Sequence, residues 1–267
     1  MVDCRTTTGV LFRPVIGALT PRSDMHLASD AAQTAVVIPT LNEEWSIAEV
    51  VARIPRHLVS RIIVADGGSR DATVERARGA GAEVVAAGLG YGQACLTGAL
   101  ASAGCDIIVF MDGDGADDPQ AIGKLVGPIV SAEKDLVIGS RTRGSYARKS
   151  IAWHQIAAGR LAGWGTQLLY GVRYTDMCAL RAIRRDALLA LGMRELTYGW
   201  NLETQMRAAA AGLRILEIPV DYRCRVAGNS KVAGNLRGSI RAGARIVTTF
   251  ARVAVETRPW QLRRHID

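Results

Sequence analysis

Two aspartates one residue apart, Asp112 and Asp114, follow an apolar run that is rich in β-branched residues. Such a run is typical of a strand buried on both faces, and alternate residues at its end point the same way. Neighbouring carboxylates repel unless a cation lies between them, and hard oxygen ligands suit Mg²⁺ or Mn²⁺, which also bind phosphate oxygens. The pair therefore predicts a metal–diphosphate site. The alternative is an acidic turn, in which Asp117 or Asp118 caps a helix that begins at Pro119.

A further carboxylate, Asp66, also ends an apolar run and precedes two glycines. A carboxylate in such an open turn can accept hydrogen bonds from a base or a ribose, although an ordinary Asp-Gly turn is the alternative. The chain has no GxGxxG after its first predicted strand and no GxxxxGK[ST]. A dinucleotide-dependent oxidoreductase and a P-loop NTPase are therefore disfavoured.

Predicted strands and helices alternate through the first half, which is typical of βαβ units in a mostly parallel, doubly wound, Rossmann-like α/β sheet. The predicted strands are 35–39, 61–65, 83–85, 106–111 and 135–139. Four helices are predicted. The first spans 44–54, and the second begins after residue 71 and ends near 79. The third begins in the segment 88–93 and ends near 102, and the fourth spans 119–127. We expect Asn42 to cap the first helix and Pro128 to end the fourth. Since polar segments follow the strands, we expect them to meet at the carboxyl edge of the sheet.

The second half breaks this alternation. It predicts a long helix at 150–170, a mixed segment at 174–185, a helix at 200–211 and short strands at 213–218 and 220–225. We expect this half to be mixed in structure.

The composition favours an ordered chain in a reducing compartment. Of the 267 residues 49% are hydrophobic, which is enough to build a core. The five cysteines are widely spaced without a CxxC pair, so free thiols are expected. No apolar stretch approaches the ~18–20 residues that span a bilayer. We therefore expect a cytoplasmic protein, with peripheral attachment to the inner face of the cell membrane as a further expectation.

The net charge of +8 is concentrated in residues 205–267, which carry 12 Lys+Arg against 4 Asp+Glu. A local basic excess indicates an anionic partner: a phosphorylated ligand, a membrane surface or nucleic acid. A helix is predicted at 232–255, with an apolar side (Leu236, Ile240, Val247, Phe250, Ala254) and arginines away from it (Arg237, Arg241, Arg245, Arg252). This basic amphipathic helix could lie on an anionic bilayer, or pack on the core with a solvated basic face.

Several segments together resemble family 2 glycosyltransferases of the GT-A fold: 36–44, 66–71 and 111–114. Later segments resemble the dolichyl-phosphate mannose synthase branch, which glycosylates polyprenyl phosphates: 137–141, 174–181, 199–203 and 225–231. The resemblance covers about 35–250. It implies a GT-A domain at 34–231. Residues 1–33 show no sustained period and are expected to form a poorly ordered extension, and the basic amphipathic helix and tail occupy 232–267. Within the domain, 34–140 would bind the nucleotide sugar and 141–231 the acceptor.

The resemblance also implies roles for matching positions. Residues around the nucleotide would be Pro39, Asn42, Glu43 and Asp66. Asp112 and Asp114 would hold Mg²⁺ or Mn²⁺ on the donor diphosphate. Residues near the reaction centre and the acceptor phosphate would be Arg141, Arg148, Arg225 and Lys231, with Glu203 on the acceptor-side helix. Two departures stand out: Ala116 lies where some members carry a further Gln ligand, and Cys178-Ala179-Leu180-Arg181 replaces the frequent Ser-Gly-Phe-Arg.

The sequence thus predicts an inverting, metal-dependent glycosyltransferase that moves a hexose from a nucleotide sugar, of the UDP-glucose or GDP-mannose type, to a polyprenyl or dolichyl phosphate. One alternative is a saccharide or small hydroxyl acceptor, with Glu203 as general base. A basic nucleic-acid-binding module is more distant, since the first three-quarters of the chain are neutral and aromatic–basic interleaving is missing. A nucleotidyltransferase is disfavoured because the first strand lacks a glycine-rich, lysine-containing loop.

Overall fold

A computed structural model of the chain describes residues 32–145, 151, 153–226 and 236–257, except for the side chains of 154 and 236–242. The strands are β1 (Thr34–Thr40), β2 (Arg61–Asp66), β3 (Glu83–Ala86), β4 (Ile107–Phe110), β5 (Leu136–Ser140), β6 (Arg181–Arg184) and β7 (Ile215–Pro219). The helices are α1 (Ile47–Arg53), α2 (Thr73–Gly79), α3 (Tyr91–Ala101), α4 (Ile122–Val130), α5 (Trp153–Tyr170), α6 (Arg185–Ala190), α7 (Trp200–Ala210) and α8 (Leu236–Thr257), with a 3₁₀ turn (Pro119–Ala121) before α4.

The seven strands of the described chain form one sheet in the order β3-β2-β1-β4-β6-β5-β7. Only β6 runs antiparallel to its neighbours, β4 and β5. The carboxyl ends of β1 and β2 meet in register, with Thr40 opposite Asp66, and β4 ends beside them. The predicted mostly parallel α/β sheet is confirmed, and its polar strand ends share one edge.

Apolar side chains cover both faces of the central strands. Val36 and Ile38 of β1 pack into a core with α1 and α4, whereas Ala35 and Val37 pack into a second core with α3 and Trp200 of α7. All seven residues of β1 are buried. Burial on two faces is why these strands read as continuous apolar runs rather than as alternating patterns.

Two predicted helix limits are wrong. Asn42 does not cap α1, which begins at Ile47, and Asn42 has a left-handed φ of 52°. Pro128 lies inside α4, which continues to Val130. The buried side chains of Val126 and Ile129 hold this last turn on the sheet, so tertiary packing outweighs the helix-breaking tendency of proline.

Two predictions for the second half also need correction. Segment 220–225 is not a strand: Tyr222 forms only an isolated antiparallel bridge with Asp117. Helix α6, directly after β6, was not predicted.

Helix α8 packs on α7 and α5 with part of its predicted apolar side, since Phe250 and Ala254 lie in the contact and Val247 does not. Val253 is fully buried, and Ile246 and Phe250 join it against Leu202 and Met206. Val247, which belongs to the predicted apolar side, is 67% exposed. On an ideal helical wheel the centre of the buried face is rotated by roughly 80° from the centre of the predicted apolar side. None of the helices described here is long and apolar enough to cross a bilayer.

The expectation of free thiols agrees with the described cysteines. Cys95, Cys105 and Cys178 are buried free thiols, and Cys224 is an exposed one. The predicted extension at 1–33 lies almost entirely outside the described residues, and so does the expected site residue Lys231.

Candidate active site

Asp114 lies in the loop after β4, and its two carboxylate oxygens have different partners. Its side chain is buried, and Oδ1 accepts a hydrogen bond from the Ala116 amide at 2.9 Å. Oδ2 is buried and accepts no hydrogen bond within the described chain, although Arg225 Nε forms an ion pair with it at 2.9 Å. A buried carboxylate oxygen without a hydrogen bond is costly unless a cation neutralises it. Asp114 is therefore suited to act as a metal ligand.

Asp112 lies beside Asp114 and above a second buried carboxylate. Burial, together with the charge of Asp114, raises the pKa of Asp112 to about 7. The Asp112 amide donates to Asp117 Oδ2 at 2.9 Å. Burial, and then the charge of Asp112, also raises the pKa of Asp117 well above its usual value. The group of acids thus carries more negative charge than it can keep without cations.

The residues present fit a divalent cation, with two protein ligands. Asp112 and Asp114 supply hard oxygens, and no set of three potential His, Cys, Asp or Glu ligands occurs among the described residues. Ala116, which is fully buried, adds no ligand. Two carboxylates leave coordination positions for phosphate oxygens and water, as is usual for Mg²⁺ bound with a substrate.

Asp118, not Asp117, caps the 3₁₀ turn after this loop. Its side chain accepts a hydrogen bond from the Gln120 amide, and Pro119 follows at the first position of the turn. The alternative of an acidic turn therefore applies to Asp118 alone, and Asp117 is free of that role. Sequence reasoning did not assign Asp117 to the site, although its place three residues after Asp114 was a signal.

The segment 222–226 lies along this carboxylate loop and brings Arg225 to it. The Arg223 amide donates to the Ala116 carbonyl at 2.9 Å, and the Val226 amide donates to the Asp114 carbonyl at 3.2 Å. These backbone contacts place Arg225, which is 32% exposed, between the acids and solvent. Its predicted partners Arg148 and Lys231 lie outside the described residues.

Arg141 follows β5 and is held by a carboxylate that sequence reasoning did not assign to the site. Its guanidinium makes two hydrogen bonds of 2.8 Å to the two oxygens of Asp176, and its amide donates to the same side chain at 3.0 Å. The guanidinium carbon also lies 5.0 Å from the centre of the Tyr222 ring. Burial alone would raise the pKa of Asp176, but the Arg141 guanidinium holds it below its usual value. Arg141 is therefore fixed in direction and charge.

Asp66 organises the turn after β2 with its own carboxylate. Its Oδ2 accepts hydrogen bonds from the amides of Gly68 at 3.0 Å and Ser69 at 2.9 Å. The Ser69 hydroxyl donates to Oδ1, and a carboxylate oxygen can accept a second hydrogen bond. Asp66 thus holds the turn after β2 in shape, and Oδ1 keeps acceptor capacity for a base or a ribose.

The β1 loop is joined to the β2 turn. The Asn42 amide donates to Ser69 Oγ at 2.8 Å, and Asn42 Oδ1 accepts from the Arg70 amide at 2.9 Å. The Glu43 amide donates to Thr73 Oγ1 at 2.8 Å. Pro39, paired with Ala65, is the residue before the last in β1. The residues expected around the nucleotide therefore lie at the ends of two adjacent parallel strands, Pro39 and Asn42–Glu43 on one and Asp66 on the other.

Glu203 is the exception among the predicted site residues. It is fully buried on α7, and its oxygens accept hydrogen bonds from the amides of Arg194 and Glu195 and from the side chains of Arg207 and Arg252. A general base needs a free lone pair that faces the acceptor. Four donors on one carboxylate leave none, so the structure argues against the predicted base and gives Glu203 a role in joining α7 to α8.

The fold and the site together define an α/β enzyme whose acidic pair, with two arginines, lies at the carboxyl edge of a mostly parallel sheet. The family described as Glycosyl transferase family 2 matches residues 35–192. The chain belongs to this family, and the expectations of a GT-A fold and of a hexosyltransferase are confirmed.

Three known proteins illustrate the similarity. An uncharacterized glycosyltransferase of Mycobacterium tuberculosis is 39% identical over 217 residues, 81% of this chain and 96% of that one. The undecaprenyl-phosphate mannosyltransferase of Micrococcus luteus is 32% identical over 224 residues, 76% of this chain and 88% of that one. The crystal structure of the M. tuberculosis glucosyl-3-phosphoglycerate synthase with Mn²⁺, UDP-glucose and phosphoglyceric acid has a TM-score of 0.67 and 25% identity, and the match covers 83% of this chain and 79% of that one.

Proposed function

We propose that this enzyme transfers a hexose, with inversion, from a nucleotide sugar to a polyprenyl phosphate in a reaction that depends on Mg²⁺ or Mn²⁺. The observation that carries the proposal is the ion pair between Arg225 and Asp114. It places a cationic side chain directly beside the acidic pair, where an anionic acceptor would meet the sugar carbon that leaves the diphosphate. The donor would be of the UDP-glucose or GDP-mannose type.

On the donor side, Asp112 and Asp114 would hold the cation against the diphosphate. A divalent cation, when bound, supplies positive charge that stabilises the departing nucleoside diphosphate. Arg141, fixed by Asp176, would add charge to the same phosphates without having to reorganise. The turn at Asp66 and the loop at Asn42 and Glu43 would receive the base and ribose. The acceptor would then attack the sugar from the face opposite the diphosphate, which inverts the anomeric carbon.

On the acceptor side, the described residues of the site supply cations and no evident base. A phosphate is already ionised at neutral pH and needs cations that hold it near the sugar. Arg225 meets this need, whereas the candidate base Glu203 is enclosed by four donors. The relative from M. luteus is named for undecaprenyl phosphate. This combination supports a lipid phosphate as the acceptor at the inner face of the cell membrane.

A small phosphorylated hydroxyl compound is the second candidate acceptor. The structural neighbour from M. tuberculosis holds phosphoglyceric acid together with Mn²⁺ and UDP-glucose. In this case Arg225 would hold the phosphate of the acceptor, and a hydroxyl group would attack the sugar.

A radiolabel transfer assay distinguishes the two. The enzyme is incubated with labelled UDP-glucose or GDP-mannose, Mn²⁺, and one of three acceptors: undecaprenyl phosphate, undecaprenol, or 3-phosphoglycerate. We expect label in the lipid phase with undecaprenyl phosphate alone. Transfer only to 3-phosphoglycerate would replace the proposal with the second candidate. If neither donor labels any of the three acceptors, the proposed function is wrong.

A further inference from the structure

Helix α5 presents an apolar face to solvent. The side chains of Trp153, Leu161, Trp164 and Leu168 are between 68% and 80% exposed. Together with Ala157 they recur every three or four residues, which on an ideal helix places them within an arc of about 80°. Single exposed apolar residues are common on proteins, but two tryptophans and two leucines aligned on one helix face form a patch that indicates an interaction site.

The packing of the opposite face fixes this orientation. Ala162 and Thr166 are buried. A Cβ atom on Gly163 would lie 1.8 Å from the Tyr174 carbonyl oxygen, and one on Gly165 would lie 2.5 Å from the Phe250 ring. Because only glycine permits these close approaches, α5 cannot turn its tryptophans inward. The sequence therefore maintains both a tightly packed inner face and an apolar outer face.

The surroundings of this face are cationic. Helix α5 contains no Asp or Glu. Its Arg160, with Arg143 and Arg173 from neighbouring loops, lines an open cleft of about 600 Å³ whose other wall includes Leu161 and Trp164. All three arginines are exposed. In the part of the chain that the structure describes, Arg160 and Arg173 have no hydrogen bond or ion pair. Tryptophan, leucine and arginine at one surface are the composition that binds the interface of an anionic bilayer.

A second copy of this chain fits the face less well. A two-fold contact on α5 would bring Arg143, Arg160 and Arg173 towards the same residues of the other copy, and α5 itself offers no acid to pair with them. An anionic lipid surface removes this repulsion and accepts the apolar side chains at the same time.

The α5 face also lies next to the active site. Thr142 and Thr175, which line the cleft, are the chain neighbours of Arg141 and Asp176. Gly159 of α5 packs within 3.6 Å of the Asp176 backbone, measured from an added Cβ. A membrane bound at this face would therefore adjoin the side of the site that holds Arg141.

We propose that the exposed face of α5, together with Arg143, Arg160 and Arg173, is a docking surface for an anionic lipid bilayer. This α5 surface takes the place of the predicted membrane face of α8, part of which packs on α7. The proposal rests on the proposed function in one respect only: membrane binding would serve to bring a lipid acceptor to the site. Binding to vesicles can be measured without any glycosyl transfer.

The test is vesicle flotation of the full chain with phosphatidylcholine alone or mixed with phosphatidylglycerol. We expect the protein to float with the anionic vesicles and not with the neutral ones. The W153Q/W164Q variant should lose on the order of tenfold or more in partition coefficient. Removing charge in R160Q/R173Q should cost about fivefold for each arginine.

Matched controls separate the α5 surface from general stickiness and charge. The L100Q/V130Q variant removes two exposed apolar side chains from α3 and α4, and R78Q/K124Q removes two exposed cations from α2 and α4. Both controls should bind as the wild type does. Equal loss in the controls and the α5 variants, or no binding of the wild type to anionic vesicles, would overturn the proposal. So would a wild-type dimer in solution that W153Q/W164Q converts to a monomer.

A second readout keeps this proposal distinct from the proposed function. With undecaprenyl phosphate dispersed in detergent, W153Q/W164Q should transfer sugar at the wild-type rate, because the bilayer is no longer needed. Flotation that depends on α5 in a protein without transferase activity would retain the α5 surface and refute the proposed function. Equal rates of the variant and the wild type on anionic vesicles would refute the purpose given to the α5 surface.

Discussion

At the scale of single residues, the site is a balance of fixed charges. Burial, and then the charges of the neighbouring acids, raise the pKa of Asp112 and Asp117, and Arg225 and Arg141 partly oppose the rise in the pKa of Asp112. The arginines differ in how they are held: Arg141 has a dedicated partner in Asp176, whereas Arg225 contacts Asp114 itself. We therefore expect Arg141 to keep its position through the reaction cycle, and Arg225 to exchange partners.

Asp114→Asn should abolish metal binding that depends on the nucleotide diphosphate. The amide oxygen can still accept the hydrogen bond from Ala116, so the loop keeps its shape while the charged ligand is lost. Titration calorimetry with Mn²⁺ and UDP or GDP should show a loss on the order of 100-fold or more. Asp118→Asn, which alters the cap of the 3₁₀ turn and an ion pair with Arg53 but leaves the acidic pair in place, is the control. An unchanged affinity in D114N would refute the metal assignment.

Arg225→Gln should have opposite effects on the two substrates. Without the guanidinium, Asp114 Oδ2 no longer has a competing cation, so we expect equal or tighter binding of Mn²⁺ with the nucleotide diphosphate in calorimetry. The KM for the phosphorylated acceptor should rise by about tenfold or more, as expected for one lost charged hydrogen bond. Arg223→Gln changes an exposed neighbour that contributes its backbone amide to the loop, and should change neither value. Weaker metal binding together with an unchanged KM would contradict both assignments to Arg225.

Asp176→Asn should destabilise the fold in a manner that depends on pH. The pKa of Asp176 is lowered in the folded state, so its charge stabilises the protein above the usual carboxyl pKa of 3.8. That contribution is lost as the pH falls through the lowered value. Breaking a largely buried pair costs about 3 kcal/mol at pH 7. Urea unfolding should show this difference at pH 7 and a shrinking difference below about pH 4. A difference that does not change with pH would show that the charge of Asp176 is unimportant.

At the scale of elements, the sequence predicts the strands of the sheet better than the way its outer helices pack. Strands β1, β2 and β4 are short apolar runs with proline, aspartate or glycine at or close after their ends. Because these strands are buried on both faces, each run is continuous and easy to recognise in the sequence. The acidic pair was predictable for the same reason, since it marks a strand end. The limit of α4 was not, because Pro128 is tolerated through contacts of Val126 and Ile129 that no local pattern contains.

The face of α8 shows what local patterns omit. Hydrophobicity alone directs Val247 inward and Arg252 outward, but Arg252 pairs with the buried Glu203 at 3.0 Å. Arg245 likewise pairs with Glu195 at 3.0 Å, and Thr249 donates to the same carboxylate. The acids Glu195 and Glu203 lie far from these arginines in the chain; Arg245 and Glu195 are 50 residues apart. Ion pairs between residues so far apart determine which face of α8 packs on the fold. The hydrophobic periodicity of α8 alone does not reveal them.

Glu203→Gln should therefore reduce stability, with little effect on the activity of each folded molecule. The change removes a fully buried carboxylate from Arg207 and Arg252 and leaves them only partly exposed partners such as Glu256, which costs about 3 kcal/mol. Unfolding by urea measures the loss, and active-site titration with labelled donor gives turnover per folded enzyme. Glu256→Gln, in the same network but 25% exposed, should cost much less. A stable E203Q enzyme with severely reduced turnover would restore Glu203 as the base.

At the scale of the whole molecule, the arginines of the described residues include two groups with different tasks. Arg207, Arg245 and Arg252 are committed to acids within the fold and are not available to an outside partner. Arg143, Arg160 and Arg173 surround the α5 surface, and Arg225 adjoins the acidic pair. The net charge of +8 thus says less about partners than the position of the arginines that remain exposed.

This division predicts how salt should affect transfer to a lipid acceptor in a membrane. With undecaprenyl phosphate in anionic vesicles, the initial rate should fall as the salt concentration rises from about 0.05 M to about 0.5 M. Over this tenfold range the Debye length shrinks from above ~10 Å to below it. With the same acceptor in detergent, the rate should change much less, because only Arg225 and its close neighbours then meet the phosphate at short range. R160Q/R173Q should lower the vesicle rate at low salt and remove most of its salt dependence. Equal salt dependence in vesicles and in detergent would assign the effect to the active site rather than to the α5 surface.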